Sequence, residues 1–197
     1  MDKKELRTEL IRKRNEIPPA KRTERSAAIC RGIFDLLIKH FGDRKDINIA
    51  AYYPLGSEVD VRMLYDIFEK AEWKLCLPVM IKAPERSEME FFFIPYKTAK
   101  EGKEDFLSKP AKAIDHDSEA LKQYIKASPG EIDAIVVPMV GFTSENIRMG
   151  YGGGNYDRYL PNMRKDAFIV GAAFEEQRSE EIIAEKHDFT LTHIVTA

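Results

Sequence analysis

Apolar residues recur along this chain with two different spacings, and the alternation between them sets the expected architecture. From Lys3 to Glu16, Leu6, Leu10 and Ile11, with Ile17 just beyond, fall on one helical stripe and most other positions are charged. That pattern predicts a basic amphipathic helix. Pro18 and Pro19 end it, and a second helix is predicted from about Ala20 to Phe41, burying Ile29, Ile33, Phe34, Leu36 and Leu37 and closing at Gly42. Ile47 to Pro54 predicts a short buried strand, followed by a loop and a helix from about Val61 to Ala71. Lys74 to Ile81 and Met89 to Tyr96 predict two more strands, the second apolar enough to be covered on both faces. The periodicity fades between Lys97 and Gly130, where surface structure with one short helix near Ser118 to Lys126 is expected. Ile132 to Val140 carries the strongest strand pattern, and Ala167 to Phe174 repeats it after a glycine-rich loop and a helix. A polar helix from about Ser179 to Lys186 then leads to a terminal strand, His193 to Thr196.

Strands alternating with helices imply an α/β fold of three layers, α/β/α, around a mostly parallel, Rossmann-like sheet. Nothing in the chain divides it, so residues 1–197 are expected to form a single domain. In such a sheet the ligand site is expected beyond the carboxyl ends of the strands.

Composition changes this picture little. The net charge of −2 and 44% hydrophobic content are those of a soluble globular chain, and give no global case for nucleic acid. The first 25 residues are the exception, with nine Lys or Arg against five acids. Without aromatic interleaving or a helix-turn-helix glycine, that excess is a weak argument for DNA. No run approaches the ~20 apolar residues that cross a bilayer, and the N-terminus has no signal-peptide pattern, so a cytoplasmic monomer without membrane or nucleic-acid partners is expected. Cys30 and Cys76 sit in apolar contexts, as core thiols do.

The candidate chemistry gathers between Val136 and Leu160. There Gly150, Gly152, Gly153 and Gly154 lie between Arg148 and the pair Asp157–Arg158. Closely spaced glycines allow positive φ and a near approach of backbone to ligand. The spacing is neither the dinucleotide fingerprint, which directly follows its strand, nor a P-loop ending in G-K-[ST]. The residues alone leave open a tight turn or an anion-binding loop.

The segment R-M-G-Y-G-G-G-N-Y-D-R-Y-L, preceded by V-P-M-V-G-F, resembles the signature of the 5-formyltetrahydrofolate cyclo-ligase family, commonly R-L-G-R-G-x-G-Y-Y-D. The opening K-K-E-L-R, the loop Y-Y-P-L-G-S-E-V-D and the C-terminal E-K-H-D-F-T-L-T-H-I-V-T resemble three further family segments, in order over nearly the whole length. The resemblance implies an ATP- and magnesium-dependent ligase that converts 5-formyltetrahydrofolate to 5,10-methenyltetrahydrofolate. It also implies roles. Arg148 and Tyr156 would be catalytic. Lys3, Lys4 and Arg7 would join Arg148, Tyr156 and the four glycines on ATP. Tyr53, Glu58, Tyr151 and Asn155 would contact the folate, and Asp157 and Asp188 would hold magnesium. Lys4 and Arg7, three apart, are expected on one helical face. The chain departs from the family pattern at Tyr151, commonly Arg, and at Asn155, commonly Tyr. Those departures keep a second class in view, a nucleotide-binding regulator that retains the loop without turnover.

Overall fold

The computed structural model describes residues 2–185 and 189–197. Helix α1 (Lys3–Glu16) opens on a capping box, in which the Asp2 carboxylate accepts from the Lys4 and Glu5 amides and Glu5 returns to the Asp2 amide. Helix α2 (Pro19–Phe41) starts on a proline, whose missing N–H costs nothing there, and stops at Gly42 with φ 61°. Strand β1 (Asn48–Ala50), helix α3 (Arg62–Lys70) and strand β2 (Lys74–Ile81) follow as a parallel unit. Strand β3 (Glu88–Phe93) returns antiparallel to β2, and β4 (Ile125–Ala127) antiparallel to β3. Strands β5 (Ala134–Pro138), β8 (Phe168–Ala173) and β9 (His193–Thr196) add in parallel on the other side of β1. Between β5 and β8, the short strands β6 (Gly141–Phe142) and β7 (Arg148–Met149) pair antiparallel, and helix α6 (Asn155–Tyr159) leaves the glycine loop.

The seven-stranded sheet therefore runs β4-β3-β2-β1-β5-β8-β9, mostly parallel with an antiparallel edge. Side-chain alternation divides its core in two. Ile49, Ala134, Val136, Leu75 and Leu77 face α2 and α3. Ala50, Ile135, Val137 and Cys76 face Tyr159, Leu160 and Met163 on the other side. A third cluster, Leu6, Leu10, Val140, Met149 and Ile182, fixes α1 to the β6–β7 ribbon.

Three expectations need correction. Residues 118–123 form turns instead of a helix, and Ile125–Ala127 is an edge strand. The preceding segment instead holds α4 (Tyr96–Glu101) and α5 (Asp105–Ser108), and Ala99, Phe106 and Leu107 are buried against the α2–α3 face, so this stretch is more than surface structure. Residues 179–185 form a turn and extended chain instead of the expected helix, because Ile182 is drawn under α1.

Candidate active site

Beyond Ala50 and Pro138, the chain leaves β1 and β5 in different directions, since β1 is flanked by β2 on one side and β5 on the other. That divergence opens a crevice at the strands' carboxyl ends. The residues after β1, Tyr52 to Glu58, form one wall, and the glycine loop forms another.

The nine residues between Val140 and Gly150 are a β-ribbon with a turn in which Asn146 takes φ 62°. The Thr143 hydroxyl accepts from the amides of Glu145 and Ile147, both at 3.2 Å, and holds that turn. The ribbon delivers Arg148 inward. Arg148 is only 4% exposed. Its Nη2 donates to Asp157 Oδ1 at 2.6 Å, its guanidinium lies 5.6 Å from the Tyr156 ring centre, and its Nε has no hydrogen-bond partner. Gly150 and Gly152 are required in different ways. A Cβ at Gly150 would stand 2.8 Å from Arg148 Nη1, while Gly152 takes φ 96°, where L residues are strained.

Two chambers meet at this pair. One, of about 340 Å3, is mainly apolar and is walled by Tyr52, Tyr53, Met80, Met89, Tyr151 and Tyr156, with Glu58 among them. The other, of about 260 Å3, is polar and is bordered by Lys3, Arg7 and Glu185. Both are lined by Arg148, Gly150, Gly154 and Asp157. Arg7 Nε donates to the Gly150 carbonyl at 2.9 Å, and Lys3 Nζ lies 2.7 Å from Glu185.

Most of the expected site residues thus converge. Lys3 and Arg7, four apart, share the face that meets the loop, whereas Lys4 borders a separate surface groove with Thr8 and Lys13. Tyr53 lines the apolar chamber with Arg62 over its ring at 6.0 Å. Asn155 lies there too, its Oδ1 accepting from Arg158 at 2.8 Å, while Arg158 also braces the Gly153 carbonyl at 2.8 Å. Asp157 borders both chambers; Asp188 lies outside the described residues. Among the described residues no group of three or more His, Cys, Asp or Glu converges as a metal cage, and no helix is long and apolar enough to cross a membrane.

Glu58 is 8% exposed, with its Oε2 accepting from the Leu55 amide at 2.8 Å. Burial pushes its carboxyl above the ordinary value; the Leu55 amide, Arg14 and Tyr151 oppose that shift. Burial also raises the Tyr156 phenol, with the Glu58 charge adding to it, so both tyrosines beside Glu58 stay protonated at neutral pH; Tyr151 is pushed up to about 12 by burial and by the same charge. Arg14 was not singled out by its sequence context, although it lies four residues beyond Leu10 on the apolar stripe, which is the signal that marks it. It is 3% exposed.

Fold and site together define an α/β protein whose switch-point crevice pairs a polar chamber with an aromatic one across the buried Arg148. The sequence profile of the 5-formyltetrahydrofolate cyclo-ligase family matches residues 1–197, and the chain belongs to that family. It is 27% identical to the 5-formyltetrahydrofolate cyclo-ligase of Mycolicibacterium smegmatis over 98% of this chain and 93% of that one. The solution structure of Aquifex aeolicus 5,10-methenyltetrahydrofolate synthetase superposes with a TM-score of 0.69 at 26% identity, covering 100% of this chain and 90% of that one. The Mycoplasma pneumoniae synthetase shares the fold, with a TM-score of 0.71 at 22% identity over 99% and 98% of the two chains.

Proposed function

We propose that this chain is an ATP- and magnesium-dependent ligase that converts 5-formyltetrahydrofolate to 5,10-methenyltetrahydrofolate, releasing ADP and phosphate. The observation that carries the reading is Arg148, buried on the wall common to both chambers with one N–H donor unpaired. A buried donor without a partner costs about 1–3 kcal/mol, which an anionic oxygen relieves. The apolar chamber suits a flat pterin, with Glu58 facing its polar edge and Tyr53, Tyr151, Asn155 and Tyr156 around it. The polar chamber suits a triphosphate, gripped by Lys3, Arg7 and the open backbone of the glycine loop. Helix α6 has five residues, so side-chain cations carry more of the attraction than a helix dipole does.

The chemistry divides along that wall. The terminal phosphoryl group of ATP passes to the formyl oxygen, ADP departs, N10 closes on the activated carbon and loses its proton to solvent, and the carbon–oxygen bond breaks to free phosphate. Such transfer needs alignment and charge stabilisation more than a protein nucleophile. Arg148 supplies a cation at the junction, and Asp157 holds that cation in orientation. Asp157, which borders both chambers, would hold magnesium together with Asp188, and the ion would supply charge neutralisation for the transferring group. Tyr156 orients the substrate as a neutral phenol.

The test combines protein, MgATP and 5-formyltetrahydrofolate and follows the near-UV absorbance of the methenyl product alongside ADP. Product formation is expected. Calorimetric ATP binding with no product would instead select the regulator reading, which Tyr151 and Asn155 keep in view.

A further inference from the structure

Arg14 is a buried cation with no carboxylate in direct contact among the described residues, which makes it costly unless its donors are all used. Each corner of its guanidinium is spent on a different segment that contributes residues to the apolar chamber. Nε donates to Ser57 Oγ at 3.0 Å, on the loop after β1; Nη1 donates to the Met139 carbonyl at 3.2 Å, after β5; Nη2 donates to Tyr151 Oη at 2.6 Å, on the glycine loop. Only a planar fork reaches three diverging acceptors in this way. Tyr151 is 47% exposed while its hydroxyl is held, and it lies close enough to Glu58 that the Glu58 charge raises the Tyr151 phenol. Two arginines of α1, two turns apart on one face, therefore grip adjacent residues of the glycine loop, Arg7 through Gly150 and Arg14 through Tyr151.

We propose that Arg14 is a positioning residue for the aromatic chamber: through Tyr151 it sets the spacing between the Glu58 loop and the glycine loop, and so presents Glu58 to the polar edge of a flat heterocycle. This rests on the folate reading of the same chamber. The family pattern commonly places Arg at position 151; in this chain the guanidinium arrives from α1 and Tyr151 relays it. The other groups facing Glu58 are Tyr52, from the chain after β1, and Tyr156, from α6. Neither carries a positive charge, so Arg14 is the cation that favours an ionised Glu58.

The experiment uses Arg14→Gln, Tyr151→Phe and the double variant of the full chain. Calorimetry reads the Kd for 5-formyltetrahydrofolate, and steady-state assays read the KM for ATP. Each single variant is expected to weaken folate binding roughly tenfold, as loss of a charge-assisted hydrogen bond does, and the double variant no more than the worse single one. The KM for ATP is expected to stay within about twofold, since Arg7 still holds the loop on that side. In ligand-free protein, carbon-13 NMR of the Glu58 carboxyl, identified by its loss in Glu58→Gln, should titrate at higher pH in Arg14→Gln than in wild type, and less displaced in Tyr151→Phe. Additive effects, equal losses on both substrates, or an unmoved Glu58 titration would each overturn the positioning role. A wild-type protein that binds no folate yet shows the displaced titration would sink the proposed activity and leave the positioning of Glu58 standing. Tyr151→Phe keeps the test decisive if Arg14→Gln does not fold.

Discussion

Arg148 and Glu58 show how much a single side chain's surroundings decide. Without its neighbours Arg148 is an exposed loop cation whose removal would leave stability unchanged. In the structure it is a buried partner of Asp157 at 2.6 Å, so Arg148→Ala strands a carboxylate and is expected to cost about 3–5 kcal/mol. Turnover should fall by roughly one to three orders of magnitude. Arg148→Lys keeps the charge but not the fork, and a urea melt beside the product assay separates the two effects. If Arg148→Lys turns over at the wild-type rate, the charge alone suffices and a role for the guanidinium fork is wrong. Glu58 carries the opposite lesson. Burial holds its carboxyl above the ordinary carboxylate value, so folding penalises the charged form. The stabilisation is fully present below the unfolded pKa and is lost as pH rises through the folded one. Glu58→Gln is therefore expected to be at least as stable as wild type at pH 7, by denaturant titration, while binding folate more weakly. A variant less stable than wild type at that pH would place Glu58 in the scaffold instead.

At the scale of elements, α1 matters most, because it brings three of the site's arginine and lysine side chains to a loop more than 130 positions away, as the Arg7–Gly150 and Arg14–Tyr151 separations of 143 and 137 show. Its attachment is the small cluster of Leu6 and Leu10 with Val140, Met149 and Ile182. Leu10 is fully buried, so Leu10→Ala should cost about 2–5 kcal/mol and raise the KM for ATP as Lys3 and Arg7 lose register. Unchanged ATP affinity in a destabilised Leu10→Ala would show that the helix is not the anchor. The bounds of α1 were legible from the apolar stripe and the prolines that end it; the bonding of Arg14 was not, since a cation on an apolar stripe is explained only by acceptors from three other segments. The β6–β7 ribbon was equally hidden. Its strands are two residues each, too short for a period-two pattern. Residues 118–126 failed for a related reason: edge pairing of Ile125–Ala127 with β3 outweighed a weak local helix signal.

Across the whole molecule, the two cysteines report on the two faces of the sheet. Cys30 belongs to the α2–α3 core and Cys76 to the opposite one. Burial pushes both thiols up, Cys30 to about 12, with Asp60 and Glu131 respectively adding to the shift. Neither should react with a thiol reagent at pH 8 in the native state, and both should react in urea. Mass-resolved labelling shows whether the faces open together; labelling of one thiol far ahead of the other would mean that the sheet does not unfold as one cooperative body.

The sequence by itself determined the alternation of strands and helices, the helix boundaries marked by Pro18, Pro19 and Gly42, and the glycine-rich segment from Arg148 to Asp157 as the candidate site. These are short-range matters, set by periodicity, capping and backbone freedom. Only the tertiary structure decided that Lys3 rather than Lys4 joins Arg7 at the loop, that Arg148 and Asp157 line both chambers, and that Arg14 ties that loop to Ser57 and to the Met139 carbonyl. Those arrangements depend on burial and on partners far away in the chain, which local pattern does not encode.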